Sequence, residues 1–573
     1  MKRSAYAGRA VVCGLLFLTI FGGLAARITH LQLGEHPELR QAYQRRIQFR
    51  RELRGMRGRV LDRNHRILAM DEGRRHVAVD PSFVSRHNDP QRLQQALAAF
   101  LQVDPGFIGA RLAETDRRYA VLERFVEEYR AEELVDYLES NAIRRGVVVE
   151  SVNTRTYPHD NLMSHVLGFV NREGTGSAGV EQTMHRFLEA REGLRVGEAD
   201  ARRRELVARR MVQIDASDGA DVVLTLDQYL QDGVERALDR GISQFNAEGG
   251  WAVVMDVKTG EVLAMASRPD FNPNEFQRAD GESFRNRTVT GSYEPGSIFK
   301  AMVFAAALND GLVDLEEVID TENGMWIHRG RPLRDYHGYS SLTASEVIYK
   351  SSNIGTAKIA LRMSPQRMYD YLREFGFGAR TGVELPGDEA GIMHHPSRWD
   401  SLTHSRMSMG HAVNVTALQM TAAMNALAND GVLMRPWLVR EVRSLTGEVL
   451  YRGHPQEAGP PVVRAETART MRTLLAGVTR PGGTGRRAAV PGYEIAGKTG
   501  TAQKVLPGGG YADRLNIASF VGFFPAENPV VTVLVSIDEP NGALRTGGSV
   551  AAPIFREIAE HTIAYFGIPP EGF

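Results

Sequence analysis

Lysine is scarce in this chain: seven stand against sixty-two arginines in 573 residues. Codon composition accounts for the imbalance at the surface, but not for where lysine is retained. A guanidinium keeps its proton at every physiological pH, whereas an ammonium releases it when desolvated or crowded by another cation, so proton-transfer chemistry cannot accept arginine in its place. Cysteine is scarcer still. Cys13 alone is present, which excludes disulfides and a cysteine-rich zinc site. The formal net charge is zero, which argues against a general nucleic-acid binder. No internal repeat and no low-complexity tract is visible. What is there is ordinary globular composition, 43% hydrophobic and 24% charged, in a chain too long for one core. Two large domains and a small appendage are expected.

The lone cysteine lies in an uncharged run from Ala10 to Ala26, continued by Ile28 and Leu31 and preceded by Lys2, Arg3 and Arg9. The run predicts a membrane anchor over 10–31, slightly short for a bilayer core of about 30 Å until its flanks are counted. The basic residues before it place a tail, 1–9, in the cytoplasm and the rest of the chain on the far side. A cleavable signal peptide is the alternative, because Gly23 and Ala25 satisfy a small-x-small rule.

Beyond the anchor, an amphipathic stretch from His36 to Arg54 precedes Val60-Leu61 and Ile67-Leu68-Ala69, which flank the turn residues Asp62 to His65 and read as a hairpin. Charged helical patterns follow from Pro90 to Arg145, then short strands and loops from Arg155 to Gly179. The basic run from Ala201 to Arg210 reads as a solvated face, with anionic lipid as its alternative contact. A boundary falls near Asp215 to Gly219. After it comes a strand, then a helix from Gln228 to Phe245 with Leu230, Val234, Leu238, Ile242 and Phe245 in phase. Two strands meet at a Lys258-Thr259-Gly260 turn, further strands fit Ala518 to Phe524 and Val530 to Ile537, and a helix fits Pro553 to Phe566. Strands at both ends of a mostly helical stretch predict an α+β fold, an antiparallel sheet with its helices in separate layers.

Three short elements carry chemistry. Ser297 precedes an almost wholly apolar segment ending at Asn309-Asp310-Gly311, which predicts a buried helix with the serine in its first turn and Lys300 one turn above on the same face. The lysine is placed to take the serine proton. A serine cap beside a chance lysine is the alternative, although no other lysine here has a serine three positions earlier. Ser351-Ser352-Asn353 follows a helix opened by a capping box, Thr343 to Glu346, and supplies a hydroxyl for proton relay and an amide, Asn353, to hold Lys300 or a substrate carbonyl. Alone it reads as a turn. Lys498, Thr499, Gly500 and Thr501 combine carboxylate-binding groups with a glycine that lets a substrate backbone lie close. A second Lys-Thr-Gly, at 258–260, reads as a structural turn. Lys300 is expected to be neutral and Lys498 charged, one beside a nucleophile and the other beside a carboxylate.

SxxK, SxN and KTG occur in that order at Ser297, Ser351 and Lys498, and their order and spacing resemble those of the penicillin-binding proteins and serine β-lactamases. The run Arg57 to Asn64 resembles the RGxIxDRNG box of class B penicillin-binding proteins, and Gly179-Val180-Glu181 is similar to another of their N-terminal motifs. Glu294 to Ser297 and Lys498 to Gln503 look most like the division-specific branch, penicillin-binding protein 3. The resemblance runs from the anchor to about Gly567. One departure is His65, where that box has glycine in a turn needing positive φ.

The resemblance implies a pedestal of dimerisation type over 40–215 and a serine D,D-transpeptidase domain over 220–567, anchored in the inner membrane. Ser297 attacks a D-Ala-D-Ala stem peptide, Lys300 is the base and Ser351 relays the proton. Main-chain amides of Ser297 and Thr501 form the oxyanion hole, while Lys498, Thr499 and Thr501 hold the terminal carboxylate, as they would that of a β-lactam. No metal or cofactor is implied, and His394-His395 reads as an ordinary pair. With no glycosyltransferase domain ahead of the pedestal, a monofunctional enzyme is expected, with a polytopic glycan-polymerising partner and other divisome proteins. Three alternatives stay open: an elongation-specific transpeptidase, a β-lactamase or β-lactam sensor, and a scaffold that activates the glycosyltransferase.

Overall fold

Lys2–Leu33 is one continuous helix, and its apolar part, Ala7–Leu33, is 27 residues long. At about 1.5 Å per residue it spans about 40 Å, enough to cross a bilayer core. It exceeds the uncharged run because the flanking residues continue the helix at both ends. The structure, a computed structural model, describes residues 2–33, 41, 48–200, 205–505 and 510–570. Most of the amphipathic stretch from His36 and the first part of the basic run, 201–204, lie outside the described residues. The chain divides into two compact units, Met1–Met56 with Ala190–Asp218, and Arg57–Glu189 with Gly219–Phe573.

In the first unit, Gln48–Leu53 and Glu205–Ile214 pair antiparallel on either side of Gly193–Ala199. The described part of the basic run lies in Glu205–Ile214, where Arg210 pairs with Glu205 at 2.6 Å.

The second unit holds two larger sheets. One contains the predicted hairpin: Val60 pairs with Ala69, and Asp62 Oδ1 accepts from the amides of Asn64 and Arg66, each at 2.8 Å. His65 takes φ +63°, so the turn demands the left-handed conformation in which this chain departs from glycine. Between 81 and 140 the helical patterning is interrupted. Helices Pro81–His87, Pro90–Leu101 and Pro105–Ala113 precede a strand, Ala120–Glu127, before the helix Glu128–Ser140. Pairing with Ile67–Val79 overrides local propensity in that strand. Each of the three earlier helices begins Asp-Pro, and Asp80, Asp89 and Asp104 accept from first-turn amides while the proline occupies N1, where no donor is needed.

The two N-terminal motifs meet in this unit. Arg57 Nε donates to Glu181 Oε2 at 2.6 Å, and Arg155 Nε to Glu181 Oε1 at 2.6 Å. Asp71 takes the Arg57 backbone amide at 2.8 Å and pairs with Arg155 Nη1 at 3.3 Å, so Glu181 and Asp71 together face the two guanidinia.

The other large sheet has five strands: β1 Gly249–Asp256, β2 Val262–Arg268, β3 Ala496–Val505, β4 Tyr511–Phe524 and β5 Val531–Asp538, in the order β2-β1-β5-β4-β3, all antiparallel. Helices α1 Gln228–Phe245 and α7 Ala551–Phe566 cover one face. The other carries the helical middle: α2 Lys300–Asn309, α3 Ala344–Lys350, α4 Asn353–Ala360, α5 Ala417–Ala428 and α6 Ala465–Ala476. Strand alternation decides which residue goes where. Ala252 and Val254 of β1 join Leu230, Leu238 and Phe555 in one core, while Trp251, Val253 and Met255 join Phe304 and Leu427 in the other. A sheet covered on both faces has no polar side, which is why β1 reads as a continuous apolar run. This is the expected α+β fold.

Candidate active site

The nucleophile candidate sits in a 3₁₀ turn, Gly296–Phe299, that leads into α2, not in the first turn of the α-helix itself. Gly296 makes the turn possible: its φ is +58°, and its amide donates to Gly410 O at 3.2 Å. Of the residues from Pro295 to Lys300, only Ser297 is not buried. The apolar helix thus anchors in the core and leaves one hydroxyl open.

Lys300 is fully buried, and its Nζ donates to Ser351 O at 2.7 Å, Ser351 Oγ at 3.3 Å and Asn353 Oδ1 at 2.7 Å. The predicted capping box forms at the start of α3, whose C-cap is Ser351 in the left-handed region at φ +61°. A non-glycine residue there is strained, and the strain points Ser351 at both lysines. Ser352 caps α4, accepting from the Gly355 amide at 2.9 Å.

Lys498, on β3 and also fully buried, donates to Ser351 Oγ at 2.8 Å and to Thr499 O at 3.2 Å. One hydroxyl therefore bridges two ammonium groups. β3 is an edge strand, so its outer backbone groups are unpaired and available to an extended peptide. Gly500 brings that edge against the nucleophile turn: a Cβ there would stand 2.9 Å from Ile298 Cγ2 and 3.2 Å from Pro295 O. Thr501 is exposed on the strand, and its Oγ1 accepts from the Gly547 amide at 3.1 Å. Thr499 donates to Thr484 Oγ1 at 2.9 Å. The turn carrying Ser297 and Lys300, the turn carrying Ser351 and Asn353, and the strand carrying Lys498, Thr499, Gly500 and Thr501 thus adjoin one another.

Electrostatics reverses one expectation. Burial pushes Lys300 down to about 7, against the opposing pull of Asp335. Burial pushes Lys498 well below the ordinary lysine range, and the charge of Lys300 pushes it further. Lys300 has two carbonyl acceptors and a nearby carboxylate. Lys498 has a hydroxyl, one carbonyl and no carboxylate. In the free protein the charge that remains in the pair therefore sits on Lys300, not on Lys498.

Supporting residues outside the three motifs were missed. Glu294 accepts from the Ala412 amide and pairs with His411 Nδ1, each at 2.9 Å, which ties the nucleophile turn to the segment carrying Gly410. Its place three residues before Ser297 was the available signal. Asp335 and Thr484 lie in polar loops with no motif of their own. The decoy behaves as read: Lys258, Thr259 and Gly260 form the turn between β1 and β2, and Lys258 Nζ donates to Asn429 Oδ1.

Residues 250–560 match the penicillin binding protein transpeptidase domain, and residues 52–224 the penicillin-binding protein dimerisation domain. The chain is 34% identical to the probable peptidoglycan D,D-transpeptidase PenA of Neisseria meningitidis, over 98% of this chain and 94% of that one. It is 31% identical to the peptidoglycan D,D-transpeptidase FtsI of Escherichia coli, over 98% and 92%. Penicillin-binding protein 3 of Mycobacterium tuberculosis, solved with aztreonam, superposes with a TM-score of 0.71 at 30% identity, covering 91% of this chain and 98% of that one.

Proposed function

Since the chain belongs to the class B penicillin-binding proteins and is a peptidoglycan D,D-transpeptidase, we propose that Ser297 is its nucleophile and that it cross-links stem peptides during septal wall synthesis. The observation that carries the site assignment is the Ser351 hydroxyl, shared by two buried lysines beside the one open serine.

In the proposed reaction, a stem peptide ending in D-Ala-D-Ala lies along the free edge of β3, its terminal carboxylate at Thr499, Thr501 and Lys498. That negative charge raises the proton affinity of Lys498 and leaves Lys300 neutral, the state a base requires. Ser297 Oγ attacks the penultimate carbonyl carbon and passes its proton to Lys300. The oxyanion meets the Ser297 and Thr501 amides, each such donor contributing about 3 kcal/mol to the transition state. As the peptide bond breaks, Ser351 relays a proton to the departing D-alanine nitrogen and an ester remains on Ser297. The amine of a neighbouring stem then attacks the ester, loses a proton to Lys300, and forms the cross-link while Ser297 recovers its proton. A β-lactam enters the same path and stops at the ester.

The proposed organisation is a tail, 1–9, an anchor, 10–31, a pedestal, 40–215, that docks a glycan-polymerising partner and other divisome proteins, and a catalytic domain, 220–567, outside the inner membrane. The septal role draws on the likeness to FtsI and penicillin-binding protein 3. A fluorescent penicillin is expected to label the protein, and Ser297→Ala to abolish the label; a persisting label would refute the nucleophile. A tagged copy should form a midcell band in dividing cells. Dispersed lateral-wall signal would favour elongation instead.

A further inference from the structure

Asp335 belongs to none of the three motifs, yet it is the most connected carboxylate at the cleft. It follows the strand Arg331–Arg334 and is held there by its own amide, which donates to Gly324 O at 3.1 Å. Its Oδ1 accepts from the Asn353 amide at 2.5 Å and the Ile354 amide at 3.0 Å, and its Oδ2 accepts from Ser352 Oγ at 2.5 Å. These are first-turn donors of α4 and the cap before it, where a negative charge is favoured by the helix dipole. The preceding carbonyl, Arg334 O, takes Asn353 Nδ2 at 2.7 Å, which leaves Asn353 Oδ1 aimed at Lys300.

We infer that Asp335 is a positioning residue for acyl transfer: it fixes the Ser351-Ser352-Asn353 turn against Lys300 and supplies a negative charge on the Lys300 side of the lysine pair. The inference rests on the reading of Ser297 and Lys300 given above. The ionisable groups acting on the pair come from three elements: Lys300 from α2, Lys498 from β3, and Asp335 from the segment after Arg331–Arg334. The turn between α3 and α4 presents only the neutral Ser351 and Asn353. Two buried amines share a hydroxyl, and the carboxylate on the Lys300 side favours keeping the proton there. It also favours the charged form of Lys300 in the free enzyme, against the burial that lowers it.

The test is the pH profile of acylation by a chromogenic cephalosporin, with the full chain in detergent, for the wild type, Asp335→Asn and Asp335→Glu. Asparagine retains an acceptor for the α4 amides but not the charge, so the acid limb should move to lower pH by about half a unit or more. Glutamate restores the charge and should return the limb to the wild-type position, even if the overall rate is lower. A uniform loss of rate in Asp335→Asn with the limb unmoved would mean a purely structural role and overturn the inference. If Asp335→Asn does not fold, Asp335→Ser decides in the same way: a limb displaced downward supports the inference, and one in the wild-type position overturns it. Failure of the wild type to form any adduct would overturn the reading of Ser297 as well, whereas an adduct with an unmoved limb would overturn this inference alone.

Discussion

Lys498 Nζ lies 2.8 Å from Ser351 Oγ, and that same oxygen accepts from Lys300, 198 positions earlier in the chain. Two buried amines share one hydroxyl, and the charge on Lys300 weakens the hold of Lys498 on its proton.

The first consequence is a pH profile. Lys300 is pushed down to about 7, so the fraction of neutral base falls with pH below that value. Acylation by a β-lactam should reach a plateau above about pH 8 and fall about tenfold per unit below about pH 6. Stopped-flow measurement across this range checks it; a flat profile from pH 5 to 8 would contradict the assignment.

Stability should rise with pH in the same sense as activity. A lysine whose proton is held more weakly in the folded state lets the unfolded chain bind more protons between about 7 and 10.5, so its penalty is full below that window and relieved as pH rises through it. Lys498→Met removes a buried amine, which must give up its proton on folding, at little change of volume. It should raise stability at pH 7 by about 1–2 kcal/mol and abolish acylation, with the gain shrinking toward pH 10. Thermal unfolding at several pH values reads the sign directly.

The Arg57–Glu181 pair is predicted to be structural. Glu181 is fully buried and serves both Arg57 and Arg155, so Glu181→Gln leaves two guanidinia short of a charge partner. The loss should be about 3–5 kcal/mol, seen as lower soluble yield and melting temperature, with little change in acylation rate per folded molecule.

Two neighbouring positions should respond in opposite directions. A Cβ at Gly410 would stand 2.3 Å from Gly296 O, at φ +80°, so Gly410→Ala should shift the nucleophile turn and slow acylation by about tenfold or more. Ala412 holds φ +59°, a strained value for alanine. Ala412→Gly should relieve about 1 kcal/mol and leave the fold more stable. Melting curves and acylation rates of the two variants separate these effects.

Much of the fold was legible locally. Helix α1 occupies the span its apolar phase predicted, the capping box at Thr343 and Glu346 forms, and the 60–69 hairpin pairs. The strand Ala120–Glu127 was not legible, because pairing with Ile67–Val79 decides it and charged residues on its exposed side mimic a helical face. The 3₁₀ turn at Ser297 was hidden for a similar reason: Gly410, a distant residue, supplies the acceptor that sets it.

The sequence by itself determined the long apolar helix at the N-terminus, the order of the three motifs and the turn at Lys258, because these depend on residue type and spacing along the chain. Only the tertiary structure decided that Ser351 bridges both lysines, that Lys498 is the weaker proton holder, and that Asp335 faces the pair. Proton affinity depends on burial and on the distance between charges, and folding sets both by bringing together segments that no local pattern connects.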